Sequence, residues 1–428
     1  MDLASFYASY RADGHGRPAH DPAMMVRCCS TPMRWGSVPR GVIERECVED
    51  VAYRVIAANQ RPDHTTIARF RQRHETALAG LFSEVLTLCA EAGLAKVGVI
   101  AVDGTKVHAN ASREATRDYE QIAREILEHA GRVDREEDEQ FGDARGDELP
   151  EEFSTEQGRR GWLREARLRL DAKRAQEARA VPKSRPARLA ESQRRLEEDL
   201  AVETRANAAF EHHREHGRDS TSRRLGARTK PYSPPAIPQG KINTTDMDSR
   251  LVKTKDGWIQ GYNAQAAVNE AQIVVAAEVT VDSPDFGHLD PMVETVEAEL
   301  QAAGVTDTPD VVVADACYWH QKQMEKIVSR GIQVLIPPDA RKREGSRPGW
   351  DGGLYAFMRR VLDTDTGADL YRKRKGMIEP VFGHTKFNRR IDRFQRRGRS
   401  AAHSEWRLIT ATHNLQKLHR HQQALATA

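Results

Sequence analysis

The sequence predicts an α/β protein: a mixed sheet flanked by helices, with a helical N-terminal domain and a long charged helical insertion after the first strand. Three observations predict it. Short β-branched runs, "KVGVIAVDGT" (96–105) and "DVVVAD" (310–315), each stop on an aspartate. Between the later strands, apolar residues recur at three- and four-residue steps, the alternation of a layered α/β fold. Ser112 to Arg218 is dominated by Glu and Arg, a composition with too few apolar positions to fill a core.

The bulk numbers set bounds. A chain of 428 residues has room for two or three domains. With 30% charged and 39% hydrophobic residues, part of it must be heavily solvated. The net charge of +3 is small, but its distribution is uneven. Cys28, Cys29, Cys47, Cys89 and Cys317 show no CxxC and no zinc-ligand spacing, which reads as reduced thiols. The opening "MDLASFYASYRADGHG" lacks the basic-then-apolar pattern of a signal peptide. No apolar run approaches the roughly eighteen residues of a membrane span. A cytoplasmic protein without membrane contact is expected.

In chain order, residues 20–94 read as helices. Ser37 can cap one, with Pro39 in its first turn, and Val42, Ile43, Val48, Val51 and Val55 fall at helical spacing. Asp63 can cap the next, "RPDHTTIARFRQRH" (61–74), where Arg69, Arg71 and Arg73 suit either DNA contact or the wet face of a bundle. The apolar run at 96–102 is the first strand, closed by Asp103-Gly104. Narrow seams then follow: Tyr119, Ile122, Ile126, Ala130 and Val133, and later Leu163, Ala166 and Leu170. They suit an antiparallel helical hairpin, followed by a basic Pro-rich linker at 222–240. "GYNAQAAVN" (261–269) and "QIVVAAEVTV" (272–281) form a hairpin turning at Glu270-Ala271. A helix over 288–303, the strand at 310–315, a helix closed by Gly331, a strand at 332–337 and a basic helix at 371–390 complete the order.

The carboxylates carry the chemistry. Strand ends form the ligand-binding rim of α/β sheets, so neighbouring strands would bring Asp103 and Asp315 together there. Two such charges repel unless one is protonated or a cation lies between them. Hard oxygen donors favour Mg²⁺ or Mn²⁺. The most cationic stretch, Tyr371 to Ser400, holds Arg372, Lys373, Arg374, Lys375, Lys386, Arg389, Arg390, Arg393, Arg396, Arg397 and Arg399 against only Glu379 and Asp392. Glu379 would complete a site for two divalent ions, and the surrounding bases would hold DNA phosphates. In an unbroken helix Lys386, seven residues on, shares nearly the face of Glu379. Pro380 requires a kink there or a helix that starts close to Glu379. Each feature also has a plain structural reading: an Asp-Gly turn, Asp315 as a helix cap, a solvated basic helix. His413, His419 and His421 read as surface or helix-end histidines.

These segments in this order resemble the DDE transposases of bacterial insertion sequences. "AVDGTKVHANAS" (101–112) is similar to that family's first-aspartate segment, and "VVVADACYW" (311–319) to its second. "YRKRKGMIEPVFGHTKFNRRIDRF" (371–394) resembles its glutamate helix, and "INTTDMDSRLVKTKDGWIQGYNAQAAVNEAQIVVAAEVT" (242–280) its approach to the second and third strands. "DPAMMVRCCS" and "RPDHTTIARFRQRH" resemble its helical N-terminal domain. The resemblance implies a ribonuclease H-like catalytic domain at 95–111 and 241–428, a DNA-end-binding domain at 1–94, and an insertion with linker at 112–240. It implies Asp103, Asp315 and Glu379 as catalytic metal ligands, with Mg²⁺ or Mn²⁺, two ions in all. DNA contacts fall to Tyr371, Arg374, Lys375, Lys386, Arg389 and Arg390. The family signature runs Tyr, two residues, Arg, three residues, Glu, six residues, Lys. Tyr371 and Arg374 keep the first spacing, while Lys375, Glu379 and Lys386 keep the others, so either Arg374 or Lys375 takes the phosphate. The expected partners are the element's terminal repeats, target DNA and further copies of the chain in a nucleoid-associated assembly. The alternative is an inactive, transposase-derived DNA-binding protein.

Overall fold

The computed structural model describes residues 3–8, 10, 19–35, 40–126, 128, 184–216, 235–254, 256–282, 285–338 and 353–427. It divides into two compact units, Met1–Arg113 with Asp248–Ala428, and Glu114–Met247.

The first unit opens with helices α1 (Ala4–Tyr7), α2 (Pro22–Trp35), α3 (Arg40–Glu49), α4 (Val51–Ile56), α5 (His64–Arg73) and α6 (Glu75–Glu91). Asp63 caps α5 as expected, its carboxylate accepting from Thr66 N at 2.6 Å. The single helix expected across Val42–Val55 is two, because the Asp50 side chain accepts from Tyr53 N and starts α4. The expected apolar stripe is also corrected. Ile43, Cys47, Tyr53 and Ala57 are buried, whereas Val48, Val51 and Val55 face solvent. Ser37 and Pro39 lie outside the described residues.

The sheet is built from β1 (Val99–His108), β4 (Arg250–Thr254), β5 (Gly257–Asn269), β6 (Val274–Thr280), β7 (Val311–Val313) and β8 (Gln333–Leu335). The long β5 pairs antiparallel with β1 on one side and with both β4 and β6 on the other. Beyond β1 the strands run parallel, β1 with β7 and β7 with β8. Ile100, Ala101, Val102, Val312 and Val313 are buried at its centre. Strands covered on both faces read as continuous apolar runs, which is why these two were legible.

Helices α8 (Leu289–Ala302), α9 (Gln321–Ser329), α10 (Gly353–Asp363), α11 (Asp365–Gly383) and α12 (Arg399–Thr427) complete this unit. Helix α12 packs against α6 and β6, so the N-terminal helices and the sheet share one core. The mixed sheet flanked by helices is a ribonuclease H-like fold.

The second unit contains a short antiparallel pair, β2 (Thr116–Asp118) with β3 (Lys241–Asn243), a helical stretch at 119–126, and α7 (Arg185–His216). Ile122, Leu189, Leu196, Ile242 and Met247 form its own small core, with Tyr119 and Ile126 against it. The seam at 119–126 is therefore real. Its continuation at Ala130 and Val133, the seam at Leu163, Ala166 and Leu170, and the linker up to residue 234 lie outside the described residues.

Candidate active site

Parallel pairing puts Ala101 opposite Val313. Two residues further on stand Asp103 and Asp315, side by side. Asp315 lies just past the end of β7, but β1 is not closed by Asp103-Gly104 as expected, because its pairing with β5 carries it on to His108. Burial pushes the Asp103 carboxyl up to about 6, against the pull of Arg374 and with the added repulsion of Asp315 and Asp285. Asp315 is raised too, first by burial and further by Asp285. These are acids kept close to one another in a poorly solvated place. Asp315 also fills the capping role, accepting from Cys317 N at 2.9 Å to start the turn Ala316–Tyr318.

Two residues beside this pair carried no signal in the apolar pattern. Asp285 lies in the loop before α8 and accepts from Asn263 Nδ2 and Gln265 Nε2, each at 2.8 Å, and from Lys106 Nζ at 3.3 Å. Lys106 follows Asp103 by three positions on β1. The crowding explains Gly104: a Cβ there would collide with Asp285 Oδ1, Gln265 Nε2 and Asn263 Oδ1. Gln265 is itself fixed, its side-chain oxygen taking the Tyr318 hydroxyl proton and its carbonyl accepting from Trp406 Nε1 at 2.9 Å.

Helix α11 reaches the pair. Its Arg374 is buried and donates to Asp103 Oδ2 at 2.8 Å, with Tyr371 beside the guanidinium. The guanidinium stands where a cation is expected. Lys375, one position on, is exposed. Glu379 is exposed as well, and at ~100° per residue it stands about 140° around the helix from Arg374. The helix runs unbroken through Pro380 from Thr364, whose hydroxyl accepts from Gly367 N at 3.1 Å, so it does not start near Glu379. Beyond it lies a π turn, His384–Asn388, closed by Arg389 N to His384 O at 2.9 Å. The extra residue shifts the helical phase, so the shared face expected for Lys386 and Glu379 does not hold. Lys386 Nζ donates instead to Lys106 O at 2.7 Å.

The basic run is largely consumed inside the fold. Arg389 is buried and donates to Ile409 O at 3.0 Å and Thr412 Oγ1 at 2.5 Å. Arg393 and Arg397 hold the carbonyls of Ala109 and Asn110, both at 3.0 Å, and Lys373 pairs with Glu270 at 2.7 Å. Lys375 and Arg390 stay on the surface.

Asp103 and Asp315 are carboxylates of the type a hard divalent ion takes, while Arg374 occupies the place beside Asp103. Among the described residues no three His, Cys, Asp or Glu side chains converge on one point. Nor is any described helix long and apolar enough to cross a membrane.

A mixed sheet of this kind, flanked by helices, is the fold of DNA-processing enzymes of the DDE class. Residues 239–415 match the family model "Transposase DDE domain", and residues 1–73 match "Transposase domain (DUF772)". The chain belongs to the DDE-type transposases of insertion sequences. Its general function is DNA transposition and its partner is DNA. No curated protein and no solved structure matches it.

Proposed function

We propose that the chain cuts phosphodiester bonds at the ends of its insertion sequence and joins the freed 3′-hydroxyls to target DNA, with Asp103, Asp315 and Glu379 as the acids of the site. The observation that carries this reading is the parallel register of β1 and β7, which sets Asp103 beside Asp315. Asp103 and Asp315 would hold Mg²⁺ or Mn²⁺, with Glu379 from α11 completing a two-ion set. The chemistry that ions held by these acids would supply is a lower pKa for an attacking water or hydroxyl and neutralisation of the leaving oxygen. Lys375 and Arg390, exposed on and just beyond α11, take the flanking phosphates. Arg374 offsets part of the rise that burial imposes on Asp103. Copies of the chain assemble on paired ends, and the unit Glu114–Met247 contributes to end binding or assembly.

Asp315→Asn tests this. Mg²⁺-dependent nicking of DNA carrying the element ends is expected to fall at least ~100-fold, with end binding retained. EDTA should have the same effect on the parent protein, reversed by Mg²⁺. The Arg374–Asp103 pair and the exposed Glu379 favour one rival, a protein that binds ends without cutting them. End binding without Mg²⁺-dependent nicking by the parent would decide for it, and equal nicking by parent and variant would remove Asp315 from the site.

A further inference from the structure

The geometry points to Gln272 as a positioning residue for Glu379, an inference that rests on the proposed role of that carboxylate. Pro380 has no N–H, so the carbonyl four residues earlier, Gly376 O, loses its helical donor. Gln272 supplies one: its Nε2 donates to Gly376 O at 2.8 Å. The helix stays continuous, but its ladder lacks one hydrogen bond there, and Glu379 lies between the two residues that would have made it.

Gln272 is itself held on every polar group. It lies at the tip of the β5–β6 hairpin with a left-handed φ of 60°, uncommon for a non-glycine residue. Its N–H donates to Asn269 O at 2.9 Å, and its carbonyl accepts from His413 Nε2 at 2.9 Å. Its Oε1 accepts from Lys417 Nζ at 2.5 Å, which leaves the amide NH₂ turned to α11. Asn269 builds the tip, its side-chain oxygen accepting from Ala271 N and Ile273 N at 3.1 and 2.9 Å. A second tip residue, Glu270, holds Lys373 one turn earlier on the same helix. Strand β5 is the direct neighbour of β1. The hairpin therefore ties the interrupted turn of α11 to the sheet that carries Asp103, and fixes how Glu379 is presented to it.

The test uses the full chain and DNA bearing the element ends. Gln272→Glu keeps the length and the partner Lys417 but cannot donate to Gly376 O. The Mg²⁺ concentration for half-maximal nicking should rise about fivefold, the scale of one lost hydrogen bond, with end binding and rate at saturating Mg²⁺ unchanged. Pro380→Ala restores a backbone donor to Gly376 O, so adding it should return the Mg²⁺ requirement to within about twofold of the parent. An unchanged Mg²⁺ requirement in Gln272→Glu, or no rescue by Pro380→Ala, overturns the inference. Glu379→Gln, run alongside, separates the two levels. If it nicks like the parent, the role of Glu379 falls and this inference with it. If it is inactive while Gln272→Glu behaves as parent, only the positioning role falls.

Discussion

His413 shows how far burial can move a single residue from what its neighbours in sequence suggest. Near the end of a polar chain, beside His419 and His421, it reads as a surface histidine. It is instead buried, with its ring edge-on to His384 and its Nε2–H given to the Gln272 carbonyl. Burial pushes its pKa down to about 3, against that hydrogen bond and helped by Arg389, His384 and Lys417. The unfolded chain takes up the proton near the usual value of ~6.5. Stability from the neutral ring is thus fully present above that pH and is lost as pH falls from there toward 3. Denaturant unfolding should show this decline, and His413→Gln should flatten it. The same limit explains the choice between Arg374 and Lys375. Both are basic and adjacent, and only packing turns one onto Asp103 and the other to solvent.

Elements were legible where a local pattern is enough. β1 and β7 were legible as β-branched runs, though β1 continues past Asp103-Gly104 to His108, and α5 by its cap. Polar Arg250–Thr254 did not, because an edge strand needs no apolar run. The stripe Val48, Val51 and Val55 has true helical period, yet period does not say which face meets a neighbour. Asp285 sits in a loop and acquires meaning only from three side chains that fold around it. The π turn was equally invisible, though its consequence is testable at Arg389, which pins that turn to α12. Arg389→Ala leaves a cavity where a buried side chain stood and takes the guanidinium from Thr412 Oγ1 and from Ile409 O, which keeps only the Thr412 hydroxyl among its side-chain donors. We expect about 3 kcal/mol less unfolding free energy by denaturant titration. Non-specific DNA affinity at temperatures where the variant is folded should stay within about twofold, since a buried guanidinium holds no phosphate.

At the scale of the whole molecule, the unit Glu114–Met247 interrupts the chain between β1 and β4 and has its own small core. Among the described residues, the main core, from Phe6 to Leu418, draws none from that unit. Replacing residues 114–247 by a flexible Gly/Ser linker should therefore leave one cooperative unfolding transition with a midpoint close to that of the parent, as checked by urea titration and near-ultraviolet circular dichroism. The long excursion has a temporal consequence. Ala101 leaves the ribosome far ahead of its β-sheet partner Val313, and α11 follows later still. At about 5–20 residues per second, a nascent chain spends roughly ten seconds or more with its N-terminal helices made and its acids still apart. Synthesis thus finishes the N-terminal helices before Asp103 and Asp315 can meet, and a polypeptide released early carries the first without the second.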